Sequence, residues 1–228
     1  YGLHEDQDQV VLVYDLGGGT FDITMIDLKA GELSVIATGG DHHLGGRQWD
    51  ELVAAYLAEQ WQIETGSEED PLSDRETVQD LYGKAENAKK ALSAREKTEV
   101  AVTHAGQRKT ITLTRETFDR LTAHLLEMTI NYTHQMLAEA AKKGYTCFDR
   151  FLLVGGSSRT PLVHQLLQER LGQPIHQEVD PDLCVSLGAA IQGGLIAGVD
   201  VGPVLVDITP HTLGIRCVGD LRGCLSDR

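Results

Sequence analysis

The sequence predicts an α/β fold with a mixed sheet, helices over it and an inserted α+β block. Three observations predict this. A continuous apolar run at Val10–Asp15 leads two more strand-like segments joined by short turns. A block of helix and hairpin is inserted after these strands. A long helical pattern then precedes another buried strand and two further helices.

Taken in order, Val10–Asp15 reads as a buried strand, Gly17–Thr20 as a tight turn, and the alternation of Phe21–Leu28 as a second strand. Ala30-Gly31 turns the chain and Leu33–Thr38 completes an antiparallel meander. Gly45-Gly46 opens a helix in which Trp49, Leu52, Val53, Tyr56 and Leu57 recur at helical spacing. Ser73 with Glu76 forms a capping box for the next helix, expected to run to about Ala94. Val100–His104 and Thr110–Leu113 form a hairpin around Ala105-Gly106. Thr114 caps a long helix with Phe118, Leu121, Leu125, Met128, Tyr132 and Met136 as its apolar stripe, ending near Lys143-Gly144. Phe151–Val154 is a buried strand, and Thr160-Pro161 and Asp180-Pro181 each start a helix. Val204–Ile208 and Thr212–Cys217 are strand-like.

The 228 residues are 41% hydrophobic, enough for a core, and carry a formal charge of −14. A field of that sign repels phosphate backbones and anionic membranes, so neither nucleic acid nor membrane is an expected partner. There is no signal-like or membrane-spanning run. The four cysteines, Cys147, Cys184, Cys217 and Cys224, match no zinc spacing, and Cys147 and Cys184 are expected as small core residues of a reducing compartment. The first residue is Tyr and the chain stops at Arg228 without a terminating signal, so both ends are expected to lie inside a longer protein.

Four constellations carry chemistry. In Asp15-Leu16-Gly17-Gly18-Gly19-Thr20-Phe21-Asp22, glycines at a strand end let backbone amides approach a phosphate, Thr20 offers a hydroxyl, and Asp15 and Asp22 supply hard oxygens for magnesium or its waters. A bare glycine run would be a plain turn, and the flanking aspartates and threonine favour phosphate. In Val154-Gly155-Gly156-Ser157-Ser158-Arg159, a strand delivers glycines to a helix start, and flat backbone plus the Arg159 guanidinium suit a planar base or a ribose. Taken alone, it is equally an ordinary strand–helix turn. Glu86, Lys89, Lys90 and Ser93 share one helical face that could bond a ribose and an adenine edge, or could be a solvated charged face. Gly45 and Gly46 stand at a helix N-terminus, where the dipole favours an anion.

In this order and spacing the segments DLGGGTFD, GDHHLGG, ENAKKALS, LLVGGSSRTP, DPDLCVSLGAAIQGG and VLVDITPHTLGI resemble those of the seventy-kilodalton heat-shock chaperones, the DnaK family, over nearly the whole chain. The resemblance implies the actin/hexokinase-like (ribonuclease H-like) ATPase fold and places this chain in its second lobe. Residues 1–9 would be the tail of the inter-lobe segment, 10–46 and 126–199 the base, 47–125 the outer part, 200–210 the interdomain linker, and 211–228 the start of a substrate-binding β domain. It also implies ATP or ADP and magnesium as cofactors, a J-domain co-chaperone and a nucleotide-exchange factor as partners, unfolded peptides as clients, a role in the stress response, and a cytoplasmic location.

Position by position, Gly17, Gly18, Gly19 and Thr20 would hold the β- and γ-phosphates. Asp15 would help place magnesium through water, together with the attacking water that Asp22 supports. Gly45 and Gly46 belong to the following loop. Glu86, Lys89, Lys90 and Ser93 would grip ribose and adenine, and Gly155, Gly156, Ser157 and Arg159 would close on the adenosine with Asp182 nearby. The family's first phosphate loop, its catalytic lysine and one magnesium-side acid have no counterpart in this chain. Hydrolysis by the chain alone is therefore expected to be very poor, with weak adenosine-nucleotide binding retained. Arg47-Gln48-Trp49 stands where the family usually has acid, acid, Phe, and Pro203 occupies the first apolar linker position. The segment after Pro210 is expected to be disordered or to pair with a neighbouring molecule, having no sheet partner. A small-molecule kinase of the same fold, and a non-catalytic nucleotide-binding relative, are the rival readings. The VLVDITP segment running into TLGI argues against the kinase, and intact Asp15, Thr20 and Asp22 argue against a degenerate site.

Overall fold

The computed structural model describes residues 8–29, 32–172, 180–181, 183–199, 204–206, 218–221 and 224–227. Its centre is a five-stranded mixed sheet. Strand β1 (Gln9–Leu16) pairs antiparallel with β2 (Phe21–Lys29), which pairs antiparallel with β3 (Glu32–Asp41), as the meander predicts. The third strand runs longer than Leu33–Thr38 because Gly39 and Gly40 continue it. At Gly40, with φ +147°, a Cβ would fall 2.1 Å from the Phe21 carbonyl oxygen, so only glycine lets β3 stay this close to β2.

On the other side of β1 lies β6 (Arg150–Val154), parallel, with Asp15 opposite Val154. The fifth strand, β7 (Val204–Val206), runs parallel to Glu32–Ser34 of β3 at the far edge, giving the order β6-β1-β2-β3-β7. A separate two-stranded sheet joins β4 (Lys97–His104) to β5 (Gln107–Thr114) through Ala105-Gly106, both at positive φ, the geometry that a two-residue hairpin loop requires.

Helix α1 (Gly46–Thr65) buries Trp49, Val53, Leu57 and Trp61, and packs on α2 (Arg75–Leu92) and on β5. The Trp61 indole N–H donates to the Gln107 carbonyl at 3.3 Å, satisfying its one polar atom. The cap of α2 differs from expectation. Asp74, not Ser73, accepts from the Thr77 amide at 2.8 Å, because Ser73 ends a short 3₁₀ turn and donates its own hydroxyl to the Asp70 carbonyl.

Helix α3 (Arg115–Lys142) is capped by Thr114 as predicted and lies against β2 and β3. Its buried face differs from the apolar stripe. Phe118, Leu125 and Met136 are buried, but Met128 is 38% exposed, and Thr122, Thr129 and Thr133 are fully buried instead. Each threonine donates back to a carbonyl three or four residues earlier, which is how a helix buries a hydroxyl without leaving it unpaired. Thr129 also accepts from the buried Tyr14 hydroxyl at 2.7 Å, tying α3 to β1.

Helix α4 (Pro161–Leu171) starts at its proline as predicted, although the Thr160 side chain makes no cap bond. Helix α5 (Cys184–Ile196) buries none of its residues among the described contacts. Cys184 packs, half-buried, beside Val13 on the pair Val11 and Leu152, whereas Cys147 is exposed rather than in the core. Strands β8 (Val218–Leu221) and β9 (Cys224–Asp227) pair antiparallel with each other, correcting the expectation that the segment after Pro210 has no sheet partner. The expected strand at Thr212–Cys217 lies outside the described residues.

Candidate functional site

The strand β1 register sets the site. Asp15 and Asp22 are a cross-strand pair, so both carboxylates stand on one face at the mouth of the Gly17–Thr20 turn. Burial first, and the Asp22 charge second, hold the Asp15 carboxyl above its ordinary pKa. The turn is closed by the Gly17 amide donating to the Thr20 carbonyl at 3.0 Å, and Gly18, Gly19 and Thr20 are exposed.

The start of α1 is locked against this turn. The amides of Gly46 and Arg47 donate to the carbonyls of Gly17 and Gly18 at 2.9 and 2.7 Å. A Cβ on Gly45 would fall 2.6 Å from the Gly19 nitrogen, so glycine is required for the approach. Gly45 and Gly46 thus serve close packing, and the first free amides of the helix are already used on the loop. Upstream, Asp41 accepts from the His43 amide at 2.8 Å and the Tyr132 hydroxyl at 2.9 Å, and both bonds hold its carboxyl below the usual range.

Gly155 has φ +82°, and a Cβ there would fall 2.4 Å from the Leu16 carbonyl oxygen. The following loop therefore lies directly on the end of β1, and the Ser157 hydroxyl donates to the Gly17 carbonyl at 3.0 Å. Arg159 lies 4.0 Å from Asp180.

The side of α2 facing these loops carries the predicted residues. Lys90 pairs with Glu86 at 2.8 Å across one helical turn, and that pairing lowers the Glu86 pKa. Lys89 does something else: its ammonium donates to the Gly46 carbonyl at 2.8 Å and lies 2.8 Å from each carboxylate oxygen of Asp50. Together Glu86, Lys89, Lys90 and Ser93 face Gly18, Gly156, Ser157 and Arg159 across a cleft of about 470 Å³. That volume suits a small-molecule ligand.

The structure brings three of the four predicted constellations to one cleft. Asp15, Gly17, Gly19, Thr20, Asp22, Gly45, Gly46 and Gly155 are not among the residues that line it. Asp182 lies outside the described residues, and nearby the Cys184 thiol is raised mainly by burial and then by the Asp15 charge. Thr160, read from sequence only as a helix start, also lines the cleft, and Asp50 was not singled out at all. Among the described residues no cluster of three or more His, Cys, Asp and Glu could hold a metal, and no helix is long and apolar enough to cross a membrane.

A model of the Hsp70 protein family matches residues 1–228. The chain belongs to the Hsp70 family. The Chaperone protein DnaK of two strains of Halobacterium salinarum is 43% identical over 231 residues, covering 97% of this chain. The chain spans 36% of the length of those relatives. Hsp70 membership carries with it the actin- and hexokinase-like ATPase fold, and the mixed sheet with helices described above agrees. Neither the small-molecule kinase nor the non-catalytic relative is favoured by these matches.

Proposed function

We propose that the chain is the second half of the ATP-binding domain of a DnaK-type chaperone, whose complete form couples ATP hydrolysis to peptide binding. One observation carries this reading: the charged face of α2 and the loop residues Gly156, Ser157 and Arg159, far apart in sequence, line one cleft together with Gly18. In this reading adenosine lies between α2 and Gly156, with Lys89, Glu86 and Ser93 toward the ribose and Arg159 over the base. The phosphates run to Gly17–Thr20, where exposed glycine backbone offers amides.

The Asp15–Asp22 pair suits a magnesium ion that keeps most of its waters. It supplies two hard oxygens on one face, one of them costly to ionise until a cation neutralises it. Magnesium would shield the phosphate charge there, and the two carboxylates would orient its waters. Residues 10–46 and 126–199 would form the base and 47–125 the outer part, the latter offering its surface to a nucleotide-exchange factor. A J-domain co-chaperone would meet the base and linker, peptide clients would bind the substrate-binding domain, and the setting would be cytoplasmic.

Calorimetric titration of the chain with magnesium-ADP tests the reading, repeated on Gly156→Trp, whose side chain enters the cleft from a position with open space around it. Saturable binding lost in the variant is expected. Binding that survives the tryptophan unchanged would put the nucleotide elsewhere.

A further inference from the structure

Lys89 is held from two sides. One side is the Gly46 carbonyl, and the other is Asp50, one turn into α1. An ammonium has three donors. Two are used on these groups, which leaves the third for the cleft that Lys89 lines. The lysine side chain is otherwise a flexible four-carbon stem, so an unanchored Lys89 would sample many positions.

Asp50 is an expensive anchor. Its side chain is 14% exposed, and Lys89 is 12% exposed. Burial raises the Asp50 pKa above its ordinary value even with the Lys89 ammonium beside it. A buried pair of this kind contributes little net stability against an apolar pair of similar size, so its presence calls for another role. The local backbone agrees: a Cβ on Gly46 would stand 2.9 Å from Lys89 Nζ, so the glycine keeps open the space in which the ammonium sits.

We infer that Asp50 is a positioning residue for nucleotide binding, fixing Lys89 so that its remaining N–H meets a ribose hydroxyl in the cleft. The inference rests on the adenosine reading of that cleft. Lys89 then discriminates for the ribose hydroxyls, and Asp50 discriminates only through Lys89. The other charged groups facing Asp50 from α2, Glu86 and Lys90, are paired with each other and leave Lys89 as its partner.

Two measurements on the full chain test this. The first needs no nucleotide: a ¹H–¹⁵N correlation of the Lys89 ammonium, assigned with Lys89→Met. A held ammonium exchanges slowly enough to be seen, and the signal is expected in the wild type and absent in Asp50→Asn. The second is the ratio of affinities for ADP and 2′,3′-dideoxy-ADP. Losing a hydrogen bond to a charged group corresponds to about tenfold. The wild-type ratio is expected to be about ten, falling to near one in Asp50→Asn and in Lys89→Met alike. Should Asp50→Asn fail to fold, Asp50→Leu/Lys89→Met supplies an apolar pair, expected to keep the fold and lose the ratio. A Lys89 signal that persists in Asp50→Asn, or a ratio that stays at the wild-type value there, overturns the inference. Failure of the wild-type chain to bind ADP overturns the adenosine reading instead, and the ammonium signal then decides whether Asp50 fixes Lys89.

Discussion

The two walls of the cleft are built on different physics. The sheet wall, from Gly17–Thr20 and Gly155–Arg159, is mostly backbone, placed by two approaches too close for a Cβ, Gly155 on Leu16 and Gly45 on Gly19. The helix wall on α2 is charged side chains held by ion pairs, one exposed (Glu86–Lys90) and one nearly buried (Lys89–Asp50). The first kind of wall is fixed by sterics and indifferent to salt. The second is set by pairing and burial, so its geometry can be tuned by a single charge.

The sharpest way to break the sheet wall is Gly155→Ala. The positive φ and the 2.4 Å approach to the Leu16 carbonyl leave nowhere for a methyl group, and a loss of about 3 kcal/mol is expected in urea denaturation. Gly156→Ala, one residue on and with open space around it, is expected to change stability by less than about 0.5 kcal/mol, so the pair isolates sterics from glycine flexibility.

Gly46→Ala touches both walls, since its Cβ would meet Ser157 Oγ at 2.5 Å and Lys89 Nζ at 2.9 Å. Both are ends of flexible side chains that can move, so the expected cost is smaller, about 1–2 kcal/mol, with ADP affinity falling about tenfold by calorimetry.

Asp15→Asn is expected to stabilise the nucleotide-free chain at neutral pH while weakening magnesium-dependent binding. Its raised pKa means that the folded protein still holds a proton over a window where the unfolded chain has lost it. Stability therefore falls as pH rises through that window, and the variant's advantage is expected to vanish below the unfolded carboxyl pKa of roughly 3.9. Denaturation curves at several pH values would show it.

The smallest effect belongs to Glu86→Ala. Its pair with Lys90 is half-exposed, so a loss of no more than about 0.5 kcal/mol is expected, disappearing at high salt.

Much of this was legible beforehand. The strand–glycine–strand pattern around Asp15 predicted the meander and marked Asp15 and Asp22 as its flanking carboxylates, and the register then put the two opposite each other. The i, i+3, i+4, i+7 spacing put Glu86, Lys89, Lys90 and Ser93 on one face of α2. The misses share a cause. Ser73 lost the helix cap to Asp74 because a 3₁₀ turn at Pro71 had already claimed it. The α3 stripe failed at Met128 and passed over Thr122, Thr129 and Thr133, since back-bonded hydroxyls can be buried where an apolar pattern does not look for them.

What the sequence determined by itself was therefore the local layer: turn chemistry, helix and strand periods, and the motif order that marks the Hsp70 family. Those signals are carried by residues a few positions apart, where backbone sterics and side-chain spacing act directly. Only the tertiary structure decided that Asp50 would hold Lys89, that Ser157 would bind the Gly17 carbonyl, and that Thr160 would line the cleft. Those contacts join residues between 39 and more than a hundred positions apart. They exist because packing α1 on α2 and β6 on β1 brings these groups together, and a buried charge takes whichever partner that packing supplies.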